Sequence, residues 1–91
     1  MADVVVTLKV MPKGVDVDLN ALAEKVKEKV SAFGGEVGKV EEKPVAFGLK
    51  SLMIYFVMPE EKGGTEPLEK EIEMLDDVES VDVVDVRRAV G

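Results

Sequence analysis

Residues 49–58, LKSLMIYFVM, constrain the fold more than any other segment. Leu52, Ile54, Phe56 and Met58 share one face at a period of two, and Met53, Tyr55 and Val57 share the other. A strand that is apolar on both faces belongs in the middle of a sheet. Residues 4–11, VVVTLKVM, have the same character: Val4, Val6, Leu8 and Val10 line one face, while Val5 and Met11 add apolar surface to the other. Residues 36–43, EVGKVEEK, are polar apart from Val37 and Val40 and run into Pro44, which cannot donate to a ladder. Both features predict an edge strand. Residues 79–86, ESVDVVDV, alternate with one slip at Val83-Val84, which predicts a bulged strand.

Two helical patterns separate these strands. Pro12-Lys13-Gly14 breaks the first strand, and Asp16 or Asp18 caps a helix whose apolar stripe is Leu19, Leu22, Ala23, Val26, Val30 and Phe33. Gly34-Gly35 ends it. After the charged loop Pro59 to Gly64, Thr65 caps a second helix with Pro67 in its first turn, where a missing N–H is harmless. Leu68, Ile72 and Leu75 form its stripe, with Met74 beside it. The order strand, helix, strand, strand, helix, strand predicts an α+β, ferredoxin-like sandwich (βαββαβ): a four-stranded antiparallel sheet with two helices on one face. Strands 1 and 3 are central in that arrangement, and they are the most apolar segments. The 91 residues are expected to form one domain, 1–91.

Composition narrows the function. No apolar run approaches the ~20 residues that cross a bilayer, and the start, MADVVVTLKV, has neither the basic flank nor the cleavage site of a signal peptide. A cytoplasmic protein without a membrane partner is expected. The chain has no Cys and no His, so thiolate chemistry and the usual near-neutral acid/base group are missing. No catalytic residue, cofactor or metal is expected. A net charge of −7 repels polyanions, which argues against direct nucleic-acid binding. An RNA-recognition sheet would also need aromatics on its central strands, and strand 1 has none. A phosphate cradle after strand 1 would have Lys13 alone. The pairs Glu41-Glu42, Glu60-Glu61 and Asp76-Asp77 read as solvated surface, and Gly63-Gly64-Thr65 as a helix cap.

Two features remain. Phe47 sits between Ala46 and Gly48 at the turn from strand 2 to strand 3, where it either folds back onto the sheet edge or projects as a contact. Arg87-Arg88, near the C-terminus of an acidic chain, is either a solvated end or a contact. With strand 4 antiparallel to strand 1, Phe47 and Arg88 are expected on one rim, an aromatic beside a cation, as in interface anchors.

Three segments, PVAFGLKSLMIYFV, EEKGGTEPLEKEIEML and DDVESVDVVDVRRAV, together with the start DVVVTLKVMP, resemble the elongation factor 1-beta family. The likeness takes in both its archaeal members and the C-terminal domain of its eukaryotic members, and it runs over essentially the whole chain. It implies a guanine-nucleotide exchange factor acting without covalent chemistry on elongation factor 1-alpha, a GTPase, in its GDP-bound form. It also implies that the turn Ala46, Phe47, Gly48, with Lys50 after it, is the wedge that enters the partner. A lysine next to last in the eukaryotic domain reaches the partner's Mg²⁺ site; Arg88 aligns with it here and Arg87 is the neighbouring alternative. Guanidinium in place of ammonium is a departure from the family, being planar and bulkier. The eukaryotic protein carries an N-terminal region that joins it to other subunits, and this chain, lacking one, is expected to act as a bare exchange domain, monomeric when free. The alternative from another class is a ferredoxin-like regulatory or scaffold module that pairs through a sheet edge or binds a small effector.

Overall fold

The computed structural model describes residues 3–89. Its elements are β1 (Asp3–Pro12), α1 (Leu19–Phe33), β2 (Glu36–Pro44), β3 (Lys50–Pro59), α2 (Glu66–Glu73) and β4 (Val78–Ala89), with single 3-10 turns at Ala46–Gly48 and Glu60–Lys62. The sheet order is β2-β3-β1-β4 and every neighbouring pair is antiparallel. The strands that are apolar on both faces are therefore the central ones, as expected of an α+β ferredoxin-like fold.

One face of the sheet carries the core. Val6, Leu8 and Val10 of β1 and Leu52, Ile54, Phe56 and Met58 of β3 pack with Leu22, Val26 and Val30 of α1 and Leu68 and Ile72 of α2. Each of these side chains is buried, so both helices lie on that face. Among the described residues, no helix covers the opposite face. Thr7 and Ser51 are buried there, while Val5, Met53 and Tyr55 are half-buried. Both edges are guarded against pairing with another sheet: β2 by Lys39, Glu41, Glu42, Lys43 and Pro44, and β4 by alternating charges and a bulge.

Local chemistry sets the element ends. Of the two candidate caps of α1, Asp18 is the one used: its Oδ1 accepts from the N–H groups of Asn20 (3.0 Å) and Ala21 (3.2 Å). Gly34 closes the helix in the left-handed region (φ 103°), where its N–H donates to the Ser31 carbonyl. Gly34→Ala is expected to cost about 1 kcal/mol in urea unfolding. The new methyl would also meet Lys62, whose ammonium lies 5.5 Å from the Phe33 ring centroid and would have to swing away. Pro12 does not stop β1 but is its last residue, paired with Val78.

Three other details differ from expectation. Thr65 occupies the cap position of α2 without bonding a backbone N–H; its hydroxyl donates instead to the Glu69 carboxylate at 2.8 Å. Met74 is exposed, and the buried stripe of α2 is Leu68 and Ile72 with Leu75 half-buried. β4 runs past the predicted end at residue 86, through Arg87 and Arg88, opposite Val5 and Val4 of β1. The slip at Val83-Val84 is a bulge, since Thr7 pairs with Asp85 and Leu8 with Val83, leaving Val84 over. Val90 and Gly91, which close the sequence, lie outside the described residues.

Candidate partner-binding site

The turn between β2 and β3 is held from below and open above. Val45 N–H donates to the Leu49 carbonyl at 2.8 Å, and Leu49 N–H donates to that of Ala46 at 3.3 Å. Inside this closure Phe47 adopts φ 62°, ψ 29°, and Gly48 has φ 77°. Phe47 is the only non-glycine residue with a positive φ among the described residues. A bulky side chain in the left-handed region costs about 1–2 kcal/mol. Nothing inside the molecule offsets that cost, because the ring is 95% exposed. The alternative in which Phe47 folds back as a packing staple is therefore not what the structure adopts.

Lys50, the first residue of β3, forms an ion pair with Glu42 at 3.8 Å. It lines an open cleft of about 350 Å³ together with Pro12, Val15, Asp18 and Gly48. Val15, in the β1–α1 loop, is exposed, and a Cβ on Gly48 would lie 3.9 Å from its Cγ1. An isolated valine in a loop carried no signal in the sequence, yet the fold sets it beside the aromatic turn.

The two arginines stand at the other end of the molecule, which corrects the expectation of one shared rim. β3 runs antiparallel to β1, so Lys50 lies beside the end of β1 while Met58 pairs with Val4, near its start. Arg88 also pairs with Val4. From Lys50 to Met58 is eight residue steps along the strand, or about 26 Å at 3.3 Å per step. Phe47 and Arg88 therefore stand at opposite ends of the 42 Å long molecule. The Arg88 guanidinium donates to the Glu60 carboxylate in the turn after β3, whereas Arg87 Nε donates to Asp85 at 2.8 Å on its own strand. The sequence alone reads Glu60 as solvated surface; only the fold brings it to Arg88.

Other surfaces are occupied by the chain's own groups. On the open face Tyr55 donates its hydroxyl to Glu41 at 2.9 Å, and the Lys39 ammonium sits 5.9 Å from the ring centroid. The other aromatic of β3, Phe56, is buried on the helix side. Lys13 shares its cleft with Asp16, Asp18, Asp76 and Asp77, an acidic lining unsuited to phosphate. Among the described residues, no helix is long and apolar enough to cross a membrane.

The Tyr55 hydroxyl, followed by Lys39, holds the Glu41 carboxyl below its ordinary value. A lowered carboxyl contributes stability above the ordinary carboxylate range and loses it as pH falls through the lowered value. In Tyr55→Phe, a carboxyl-carbon NMR titration is expected to show the Glu41 midpoint moved upward, toward the ordinary range.

Residues 5–89 match the model of the EF-1 guanine nucleotide exchange domain. A protein named elongation factor 1-beta from Methanosarcina barkeri is 44% identical over 88 residues, covering 97% of this chain and 99% of its own. Its namesake from Staphylothermus marinus is 45% identical over 89 residues, covering 97% and 98%. Among solved structures, the de novo designed protein Foldit4 superposes with a TM-score of 0.62 at 21% identity, covering 98% of each chain. The C-terminal domain of the MgtC protein from Mycobacterium tuberculosis gives 0.60 at 15% identity, covering 98% of this chain and 88% of that one. These structural likenesses concern the fold alone. The sequence matches concern more, and they place this chain in the EF-1 guanine nucleotide exchange domain family, as a nucleotide exchange factor of translation elongation.

Proposed function

We propose that the chain, acting as one exchange domain over residues 1–91, binds the GDP-bound form of elongation factor 1-alpha and loosens its nucleotide from two points. The turn Ala46, Phe47, Gly48, with Lys50 behind it, enters the GTPase as a wedge. Arg88 competes with Mg²⁺ at the nucleotide, and Arg87 is the neighbouring cation. The observation that carries this reading is Phe47, a fully presented aromatic ring held in a costly backbone conformation with no internal contact to justify it. Strain that the fold maintains without using it marks a site made for a partner.

GDP is held in GTPases of this kind by P-loop N–H groups and by Mg²⁺ bridging protein and phosphate. A cation brought to the metal position weakens that bridge, and a wedge shifts the elements that carry it. Neither step makes or breaks a covalent bond, which suits a chain with no Cys and no His. By linkage, a factor that loosens GDP is itself loosened by nucleotide, so the ternary state is transient and exchange runs in both directions. The ratio of GTP to GDP then sets the direction. Because wedge and cation lie about 26 Å apart along the strands, they touch separate parts of the GTPase and hold it along the length of the sheet. The protein works as a monomer in the cytoplasm, and its charge of −7 steers it away from RNA.

The test is stopped-flow release of a fluorescent GDP analogue from archaeal elongation factor 1-alpha with excess unlabelled nucleotide. Sub-stoichiometric protein is expected to accelerate release. Unchanged release with a competent GTPase would reject the reading in favour of a scaffold or effector-binding module.

A further inference from the structure

The cation proposed to act in exchange is engaged in the free protein. Arg88 lies on the helix-covered face of β4, opposite Val4, and its guanidinium donates to Glu60. Glu60 opens the turn after β3, and β1 runs between β3 and β4. The Arg88 side chain therefore folds across the start of β1 instead of projecting beyond the sheet. Glu60 also lines an apolar cleft of about 210 Å³ with Val4, Val6, Met58 and Val86, so the ion pair sits at the rim of an apolar surface. Arg87 is different, because its partner Asp85 is two residues away on the same strand.

We propose that Glu60 is a positioning residue of the exchange reaction: it parks Arg88 in the free protein and releases it when a denser cluster of negative charge on the GTPase takes its place. This rests on Arg88 being the cation that engages the partner. The two side chains are 63% and 41% exposed, so water screens the pair and it is weak. A phosphate or a set of Mg²⁺-binding carboxylates offers the guanidinium more charge and a matching fork of acceptors. Transfer from Glu60 to the partner is thus downhill, with a small barrier set by breaking the parked pair. Parking keeps a rotamer-rich side chain ordered and keeps free nucleotide from occupying it in solution.

The test compares Glu60→Gln, Glu61→Gln, Arg88→Ala and the double variant Glu60→Gln/Arg88→Ala in the GDP-release assay, as the release rate at saturating factor (kcat) and the half-saturating concentration (KM). Glu60→Gln is expected to raise kcat by up to about fivefold, the equivalent of the ~1 kcal/mol of an exposed ion pair, with KM little changed. Glu61→Gln removes the same charge one residue away without touching the pair, and is expected to leave kcat at the wild-type value. In the Arg88→Ala background the Glu60→Gln effect is expected to vanish, which a purely structural or steering role of Glu60 would not produce. An unchanged or lowered kcat in Glu60→Gln overturns the proposal, as does an equal rise in Glu61→Gln or an effect that survives in the Arg88→Ala background. Failure of the wild-type protein to release GDP at all would be a separate result, rejecting the exchange function itself.

Discussion

Phe47→Ala is expected to lower kcat/KM for GDP release from elongation factor 1-alpha by about 30-fold or more, the equivalent of ~2 kcal/mol for an aromatic hot spot. The ring makes no use of its own fold, being 95% exposed, so the alanine variant keeps its structure and the loss falls on partner binding. A second substitution separates function from stability more sharply. Glycine adopts φ 62° without the Cβ clash that Phe47 suffers. Phe47→Gly is therefore expected to be about 1 kcal/mol more stable, a rise of a few degrees in Tm for a domain of this size, while losing exchange activity as the alanine variant does. A side chain kept for packing would move both readouts downward. Wild-type exchange by Phe47→Ala would remove the wedge from the mechanism.

Arg88→Ala is expected to slow GDP release at saturation by about 10- to 100-fold, the range that follows from losing hydrogen bonds of 1.5–3 kcal/mol to charged groups. KM is expected to change less than kcat, since the proposed mechanism has docking rest on the distant Phe47 turn and the cation act only once the complex has formed. The proposed competition with the metal gives an independent signature: raising Mg²⁺ is expected to inhibit exchange by the wild-type protein and to do so far less for the variant. Arg88→Lys retains most of the activity if a point charge suffices, and loses much of it if the planar fork is used. Arg87→Ala is expected to stay close to wild type, because Arg87, opposite Val5, lies on the other face of β4 from Arg88. The reverse order of effects for the two arginines would assign the cation to Arg87.

The strand order was legible because burial on two faces leaves a two-sided apolar pattern, and only the segments that became β1 and β3 have it. The polar run before Pro44 marked β2 as an edge for the converse reason, and the doubled valine at Val83-Val84 marked the bulge, since an extra residue breaks a period of two. The aromatic at the β2–β3 turn was legible as an anomaly. Its direction was not: whether the ring folds back or projects depends on the φ of residue 47, which the turn closure decides against the residue's own preference.

By itself, then, the sequence determined the element order, the central strands, the helix end at Gly34, and the residue types available to a partner. Those follow from periodicity and local backbone chemistry, which act over a few residues. The tertiary structure alone decided where those residues stand. Antiparallel pairing sends the start of β3 to the end of β1, so the aromatic and the cation expected on one rim are carried to opposite ends. The same pairing brings Glu60 to Arg88 across 28 residues of sequence. Contacts of that range depend on how strands register side by side, and no short-range pattern encodes them.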